Sequence, residues 1–276
     1  MNIFLTGTSG FVGRHVALEL IKRGHRIRAL VRRPDLLPAD LKNSMNIIQG
    51  DICHVTQSTL EGTDAVIHMA AAGVEIGKDT WPECMKINVG GLAQLISHMS
   101  GANIKKLLIL GSCFEYGKAA EAYEEIPTTV PLKPEGPYAT SKAVASQLAE
   151  AMAQQHGLNL AIARCFHIYG PGEASYRFWP QLVKAAQSGS DFKMTLGEQI
   201  RDFMPVEAAA RQIIDIAMAQ TNSPSINAHH IASGQPQKLC DFARKEWERL
   251  GATGKILFGA IPYRPNECMK YIPEIT

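Results

Sequence analysis

The 276-residue sequence has little net charge, no long apolar run and no closely spaced cysteines. Its formal net charge is only +2 at pH 7, which implies no broad attraction to nucleic acid or to an acidic membrane. No apolar stretch is long enough to span a bilayer, and no signal segment precedes the first predicted strand. The six cysteines are scattered without a Cys-x-x-Cys pair, which argues against a zinc site or a disulfide framework. We therefore expect a cytoplasmic protein with no metal, membrane or nucleic-acid partner.

The alternation of short apolar runs with helical periodicity predicts an α/β fold with a Rossmann-like, doubly wound parallel sheet. The predicted strands are 3–5, 27–31, 46–49, 65–69, 106–110, 158–164, about 192–196 and about 228–232. The predicted helices are 11–23, 81–99, 137–156, about 181–187, 206–220 and 239–250. After Arg164, prolines and glycines interrupt the pattern, which favours a small, discontinuous C-terminal substrate lobe. The predicted division is 1–165 plus about 204–233 for a dinucleotide-binding domain, and about 166–203 plus 234–276 for the lobe.

Three glycines, Gly7, Gly10 and Gly13, follow the first predicted strand and open the first predicted helix. Glycine permits a tight turn and the close approach of a pyrophosphate, and a helix N-terminus presents free N–H groups and partial positive charge. The spacing is GxxGxxG rather than the commoner GxGxxG. The segment predicts a dinucleotide cradle, and the alternative is a glycine-rich turn without a ligand.

The end of the second predicted strand bears on the choice of cofactor. A site that prefers NAD usually has an acidic residue there, whereas Arg32 suits a 2′-phosphate, so NADP(H) is favoured over NAD(H). The alternative is a solvated arginine. Asp51 follows the third strand and can accept a hydrogen bond from the adenine amino group, and small residues follow His68, which we interpret as structural. The predicted cofactor contacts in these segments are Gly7, Ser9, Gly10, Phe11, Val12, Gly13, Arg32, Asp51, Ile52, Met69, Ala70 and Ala71.

Tyr138 and Lys142 lie four residues apart on a predicted helix and therefore share a face. A nearby ammonium lowers the pKa of a phenol, which is ordinarily about 10, and a tuned tyrosine can exchange a proton with a substrate oxygen. Ser112 follows the fifth predicted strand, at the edge where parallel sheets bind ligands, and its hydroxyl can hold the same oxygen. A Tyr–Lys pair alone also occurs on exposed helix faces, but the cradle upstream favours proton transfer here.

Several motifs occur in an order that resembles the extended short-chain dehydrogenase/reductases. They are the glycine segment 6–13 (TGTSGFVG), residues 112–117 (SCFEYG), 138–142 (YATSK), 164–172 (RCFHIYGPG) and 201–203 (RDF). This is the family of NAD(P)-dependent sugar-nucleotide epimerases, dehydratases and reductases, and the resemblance spans nearly the whole chain.

The resemblance implies roles for particular residues. Ser112, Tyr138 and Lys142 would form the catalytic triad, with Tyr138 and Lys142 also contacting the cofactor and Lys142 holding the nicotinamide ribose. Asn88 would help to organise the site. His167 would lie near the nicotinamide carboxamide, with a packed loop histidine as the alternative. The family also leads us to expect a homodimer through the helices at 81–99 and 137–156.

Two positions after Ser112 distinguish members of the family. Dehydratases usually carry Asp-Glu there, whereas this sequence has Cys113 and Phe114, and Glu115 lies one place too late. A 4-epimerase usually has an acidic residue at the end of the second strand, whereas this sequence has Arg32 there. Residues 111–117 and 258–267 resemble nucleotide-sugar 4-ketoreductases. We predict NADPH-dependent reduction of the C4 keto group of a nucleotide-linked 4-keto-6-deoxyhexose; the alternatives are an NAD-dependent nucleotide-sugar 4-epimerase and a non-catalytic NADP(H)-sensing regulator.

A nucleotide-sugar substrate requires cations for its pyrophosphate, which arginine binds through paired donors. The predicted substrate contacts are Ser112, Cys113, Phe114, Arg177, Arg201 and Arg264. A surface salt bridge is the alternative for each arginine, and a packed apolar thiol is the alternative for Cys113.

Overall fold

The computed structural model describes residues 1–75, 77, 79–265 and 267–275. The strands are β1 (Asn2–Thr6), β2 (Arg26–Val31), β3 (Asn46–Gln49), β4 (Ala65–His68), β5 (Lys106–Ser112), β6 (Asn159–Cys165), β7 (His167–Tyr169), β8 (Phe192–Lys193), β9 (Ile200–Pro205), β10 (Ser225–Ile231), β11 (Pro236–Lys238), β12 (Ile256–Leu257) and β13 (Lys270–Tyr271). The helices are α1 (Phe11–Lys22), α2 (Ala39–Asn43), α3 (Gln57–Leu60), α4 (Trp81–Cys84), α5 (Gly91–Gly101), α6 (Gly136–His156), α7 (Phe178–Ser188), α8 (Val206–Ala219) and α9 (Leu239–Arg249).

The main sheet has seven strands in the order β10-β6-β5-β4-β1-β2-β3, and every neighbouring pair is parallel. The strand order reverses at β1, since β2 lies on one side of it and β4 on the other. In such sheets, ligands bind beyond the carboxyl ends of the strands at this switch point. The predicted Rossmann-like, doubly wound parallel sheet is confirmed.

Helices cover both faces of this sheet, which explains why its strands are apolar on both sides. Along β1, Ile3 and Leu5 pack into one core with Val16 of α1 and Ile213 of α8. Phe4 points to the opposite face, into a second core built with α5 and α6. The alternation along a single strand holds α1 against one face and α6 against the other. The cradle and the predicted catalytic helix are therefore fixed to the same rigid sheet.

Smaller sheets are built from segments that lie after β6 in the sequence. The strand β9 pairs in parallel with β7 and β13 and antiparallel with β11. The strands β8 and β12 form a separate parallel pair, and α7 and α9 pack over it through Leu182 and Trp247. These segments come from both sides of β10 in the sequence. The assignment of this region as a substrate lobe stays a prediction about function.

The structure differs from the predicted elements in identifiable places. The predicted helix 81–99 is interrupted by a π-helical segment, Met85–Gly90, between α4 and α5. The strand expected near 192–196 ends at Lys193, and Gly197 follows with φ +74°. The strands β7, β9, β11, β12 and β13 were not predicted, because strands of two to six residues carry too little periodicity to be recognised.

Candidate active site

The loop between β1 and α1 forms a tight glycine turn. Gly7 has φ +77°, and its carbonyl oxygen accepts a hydrogen bond from the Gly10 N–H at 2.9 Å. A Cβ on Gly7 would lie 2.6 Å from the carbonyl carbon of Met69, and one on Gly13 would collide with the Gly7 carbonyl oxygen. Both positions therefore require glycine for steric reasons, as a cradle for a closely approaching ligand does.

Thr6 joins this turn to the end of β4, a role that the sequence did not reveal. Its Oγ1 accepts hydrogen bonds from the N–H groups of Met69 and Ala70, both at 3.1 Å. The same hydroxyl is 2.8 Å from Nδ1 of His68, whose pKa burial lowers to about 3. His68 is thus a neutral, structural histidine, and the predicted contacts at Met69 and Ala70 lie directly beside the glycine turn.

The predicted cofactor residues around the turn differ in exposure. Ser9 and Gly10 are exposed, Phe11, Val12, Ala70 and Ala71 are partly exposed, and Gly13 and Met69 are buried. The Thr8 hydroxyl is buried and has no hydrogen-bond partner among the described residues. A buried, unpartnered hydroxyl inside a glycine turn fits a site that takes a polar ligand such as a pyrophosphate.

The predicted adenine end contains Asp51 and Arg32. The Asp51 Oδ1 accepts the Cys53 N–H at 2.9 Å and caps the 3₁₀ turn Ile52–His54. Burial acts to raise the pKa of Asp51, but this hydrogen bond and the charge of Arg32 outweigh it and leave the pKa below its ordinary value. Arg32 is exposed, and the Ile52 side chain packs into the core against Gly91 of α5.

Ser112 and Tyr138 meet at the carboxyl end of β5. Ser112 is the last residue of that strand, and Tyr138 lies in the first turn of α6. The neighbouring Ser112 side chain acts to lower the pKa of Tyr138, but burial is the dominant effect and raises that pKa above its ordinary value. The phenol is therefore protonated at neutral pH, which is the form that can donate a proton.

Lys142 occupies the same face of α6 but does not act on Tyr138 in the way the sequence predicted. Its ammonium donates to the Leu110 carbonyl oxygen at 2.5 Å and is 7% exposed. Burial lowers the pKa of Lys142, while the charge of Glu115 opposes that effect. The expected lowering of the Tyr138 pKa is corrected, because desolvation of the phenol outweighs the other influences on it.

Asn88 holds the loop after β4 against α6. It is 2% exposed, its Oδ1 accepts the Ala72 N–H at 2.8 Å, and its Nδ2 donates to the Ala72 carbonyl oxygen and to Ser141. Asn88 lies in the π-helical segment Met85–Gly90, and such segments often occur at functional sites. Its predicted role in organising the site agrees with these contacts.

Asp79 is another residue that sequence reasoning missed. Its Oδ2 accepts the Tyr138 N–H at 3.3 Å and so caps the first turn of α6. A Cβ added at Gly73 would lie within 3.5 Å of the side chains of both Asp79 and Tyr138, which shows how closely this loop meets the helix. A carboxylate at a helix N-terminus also interacts favourably with the helix dipole.

His167 lies in β7, beside Phe203 of β9. Its Nδ1 is buried and has no hydrogen-bond partner among the described residues. Burial lowers the pKa of His167 to about 3, with further lowering by the charges of Arg201 and Arg177. A neutral imidazole with an unpartnered nitrogen can hydrogen-bond an amide group, as the predicted contact with a nicotinamide carboxamide requires.

The two residues after Ser112 lie in very different surroundings. Cys113 is 2% exposed and packs with Tyr116 and Phe166 in a core cluster, and burial raises the pKa of its thiol to about 12. The prediction that the Cys113 side chain contacts substrate is therefore corrected, because the thiol lies in the core. Phe114 is 48% exposed and can contact a ligand beside Ser112.

Among the described residues, the three predicted substrate arginines make separate contacts and do not form one cluster. Arg177 donates to the Val74 carbonyl oxygen at 3.0 Å. Arg201 is largely buried and pairs with Glu267 at 3.3 Å, and burial lowers its pKa. Arg264 is exposed, and its carbonyl oxygen accepts the Glu267 N–H at 3.1 Å. Glu267 thus contacts both Arg201 and Arg264. Arg177 instead holds the loop after β4 through its hydrogen bond to Val74.

Comparison with known proteins identifies the family. The model of the NAD dependent epimerase/dehydratase family matches residues 3–229. The chain belongs to this family. This match confirms the predicted family and fold class. It also confirms the prediction that this family member is an enzyme.

Its relatives include CDP-abequose synthase of Salmonella typhimurium, which is 25% identical over 97% of this chain and 87% of its own. The dTDP-6-deoxy-L-talose 4-dehydrogenase (NAD(+)) of Aggregatibacter actinomycetemcomitans is 24% identical over 87% of each chain. The structure of MoeE5 in complex with UDP-glucose and NAD is 25% identical, with a TM-score of 0.84 over 100% of this chain and 90% of that one.

Membrane and metal partners bear on the family member's function. No helix in the described part of the chain is both long and apolar enough to cross a membrane. Within the same residues, no group of three or more His, Cys, Asp or Glu side chains is arranged to hold a metal ion.

Proposed function

We propose that the protein reduces the C4 keto group of a nucleotide-linked 4-keto-6-deoxyhexose with NADPH. The observation that carries the proposal is that Ser112 and a protonated Tyr138 lie together at the sheet edge that also holds the glycine turn. A protonated phenol at this position can act as the general acid that protonates a developing alkoxide. The 4-dehydrogenase that this chain resembles is named for the same carbon of a dTDP-linked 6-deoxyhexose.

In this mechanism the Ser112 hydroxyl holds the substrate carbonyl oxygen, and Tyr138 donates its phenolic proton to that oxygen as charge develops on it. A bound nicotinamide cofactor supplies the hydride. Lys142 has three N–H donors, of which one is used by Leu110, so it retains donors for the ribose hydroxyls. The neutral His167 offers Nδ1 to the carboxamide, and Asn88 and Asp79 keep the catalytic turn of α6 in place.

The surroundings of the catalytic serine argue against dehydration. Elimination of water needs an acid and a base beside the sugar, yet Cys113 is buried and Phe114 has no ionisable group. The nearby carboxylate, Glu115, is 0% exposed and is hydrogen-bonded to Ser112, Ser146 and Arg164. It is therefore withheld from any substrate.

A second candidate is an NAD-dependent nucleotide-sugar 4-epimerase. Likeness to a protein solved with UDP-glucose and NAD favours it. Epimerisation begins with oxidation of an alcohol, however, and that step needs Tyr138 as a base. In this structure Tyr138 is protonated, which is the form that keto-group reduction uses from the start.

The substrate pyrophosphate would be bound in the region of Arg201 and Arg264. Arg264 is exposed and can reach a ligand directly. Arg201 is occupied by Glu267 and by the carbonyl oxygens of Ile200 and Cys268, so it would contribute mainly fixed positive charge. We also propose the lobe boundaries given above and a homodimer, although the apolar side chains of α5 are already buried within this chain.

Incubation of the purified protein with NADPH and a dTDP- or CDP-linked 4-keto-6-deoxyhexose tests this function. We expect loss of the reduced-nicotinamide absorbance and formation of the 4-hydroxy sugar in equal amounts. Interconversion of UDP-sugars with NAD and no net oxidation would instead establish the epimerase. Cofactor binding without turnover of either class would favour the non-catalytic regulator.

The cofactor preference can be tested separately at the end of β2. We expect Arg32→Glu to reduce the ratio of kcat/KM for NADPH to that for NADH by about a hundredfold, because a carboxylate repels the 2′-phosphate and suits a 2′-hydroxyl. The matched control is Arg26→Glu, which makes the same charge change at the opposite, exposed end of β2. An unchanged ratio in Arg32→Glu, or an equal change in both variants, would contradict the NADP assignment.

A further inference from the structure

A buried carboxylate lies directly behind the predicted catalytic serine. Glu115 is 0% exposed and belongs to the 3₁₀ turn Cys113–Glu115 that follows β5. Its Oε1 accepts the Ser112 N–H at 2.7 Å. A Cβ added at Gly111 would lie 2.9 Å from this same oxygen, so the glycine before Ser112 leaves room for the carboxylate.

The second carboxylate oxygen of Glu115 reaches the catalytic helix. Its Oε2 accepts the hydroxyl proton of Ser146 at 2.9 Å. Tyr138, Lys142 and Ser146 are spaced by four residues along α6 and therefore lie along one face of it. One side chain thus joins the end of β5, which carries Ser112, to the face of α6 that carries Tyr138 and Lys142.

A buried guanidinium balances the charge of Glu115. The Arg164 Nε donates to Oε2 at 3.0 Å, and its Nη1 donates to the Tyr116 hydroxyl and the Thr128 carbonyl oxygen. The Tyr116 hydroxyl is in turn 2.7 Å from Nε2 of His230. A buried ion pair is tolerated when its other polar atoms also find hydrogen-bond partners, and here both Glu115 oxygens and the Arg164 Nη1 have partners beyond the ion pair itself.

We propose that Glu115 is a positioning residue for the reaction: it fixes Ser112 and the Tyr138–Lys142 face of α6 in mutual register and supplies a fixed negative charge beneath them. This inference rests on the proposed proton transfer by Tyr138 but on none of the details of the substrate. Glu115 lies one position beyond the glutamate that acts as an acid or base in dehydratases. Its role is a positioning one instead.

The charge of Glu115 acts on the groups packed around it. It raises the pKa of Lys142 against the effect of burial, and it adds to the raised pKa of Tyr138. The titratable and charged groups that face it are Cys113 and Tyr116 on its own turn, Tyr138 and Lys142 on α6, and Arg164 and Cys165 on β6. Glu115 therefore helps to keep both the phenol and the ammonium protonated near neutral pH.

The variant Glu115→Gln removes the charge but keeps an oxygen that can accept the Ser112 N–H. We expect kcat for reduction to fall by about tenfold with little change in KM. Since Tyr138 and Lys142 both lose a negative neighbour, the alkaline fall in kcat should move to lower pH. In Glu115→Asp the charge remains but the side chain is shorter, so kcat should fall while the alkaline limb stays near that of the wild type.

The matched control is Glu246→Gln. Glu246 is also buried, at 4% exposure, and also pairs with an arginine, Arg249, but it lies in α9 and accepts a hydrogen bond from Trp179. We expect this variant to leave the pH profile unchanged. An equal shift of the alkaline limb in both glutamate variants would overturn the proposal, as would a Glu115→Gln profile identical to that of the wild type.

Glu115→Gln leaves Arg164 as an unpaired buried charge and can prevent folding, so the double variant Glu115→Gln with Arg164→Gln removes both charges together. Tyrosine carrying ¹³C at Cζ, with Tyr138→Phe to assign its resonance, reports phenolate formation without any substrate. The Tyr138 resonance should begin to titrate at lower pH in the double variant. An unchanged titration overturns the role of Glu115, whereas an inactive wild type with a shifted titration overturns only the proposed function.

Discussion

The variant Tyr138→Phe is expected to lower kcat for keto-sugar reduction by about 10²–10⁴-fold, because it removes the proton donor and little else. The phenol lies beside Ser112 and is protonated at neutral pH, whereas a phenylalanine ring of nearly the same shape has no proton to give. The wild-type rate should stay level through neutral pH and fall only in alkaline solution, as Tyr138 ionises. Initial rates with NADPH across a pH series measure both effects.

Cofactor binding separates this loss from a general disturbance of the site. Tyr138→Phe should change the Kd for NADPH far less than it changes kcat, since it removes one of many predicted cofactor contacts and leaves the glycine turn between β1 and α1 intact. Tyr123→Phe removes a hydroxyl from an exposed tyrosine after the turn Lys118–Ala122 and should keep full activity. If Tyr138→Phe also keeps full activity, Tyr138 is not the proton donor.

The main sheet could be predicted from the sequence because its signals are local. Apolar runs such as residues 3–5, ended by glycine, mark buried parallel strands, and the spacing of Tyr138 and Lys142 on a helix is fixed by helix geometry. The signal for the glycine turn is equally local, because the positive φ at Gly7 favours glycine at that single position. These features need no knowledge of distant contacts.

The partners of the catalytic residues could not be predicted in the same way. Glu115 and Arg164 are 49 residues apart in the sequence, and Tyr116 and His230 are 114 apart, yet each pair is in direct contact. Nothing in the local pattern indicates such a pairing. From the sequence alone, Glu115 is interpreted only as a dehydratase acid one place too late. In the fold it is fully buried and hydrogen-bonded to Ser112, Ser146 and Arg164.

Two other corrections have the same physical origin. Lys142 was expected to tune Tyr138, but the depth at which both side chains are buried decides their pKa values, and burial is a property of the assembled fold. Cys113 was expected to contact substrate because it follows Ser112, yet the 3₁₀ turn directs its thiol into the core. Adjacency in sequence identified the right turn but not the direction of each side chain.

The variant Gly13→Ala is expected to weaken NADPH binding by about a hundredfold or more. The added Cβ would collide with the Gly7 carbonyl oxygen and lie 2.8 Å from the Gly7 carbonyl carbon and 3.1 Å from the Thr8 Cα. All three are backbone atoms, so no side-chain rotation relieves the overlap, and either the glycine turn or the start of α1 must move. That movement displaces the N–H groups that would bind the pyrophosphate.

Titration of each protein with NADPH, followed by cofactor fluorescence, measures this effect, and thermal unfolding shows how much of it reflects lost stability. The matched control is Gly90→Ala, because Gly90 has helical φ and ψ of −62° and −44° and a Cβ there would meet nothing closer than 3.8 Å. We expect that variant to bind NADPH as the wild type does. Equal Kd values for the wild type and Gly13→Ala would mean that the turn between β1 and α1 is not the cofactor cradle, and hydride transfer at Ser112 and Tyr138 would then lack its donor.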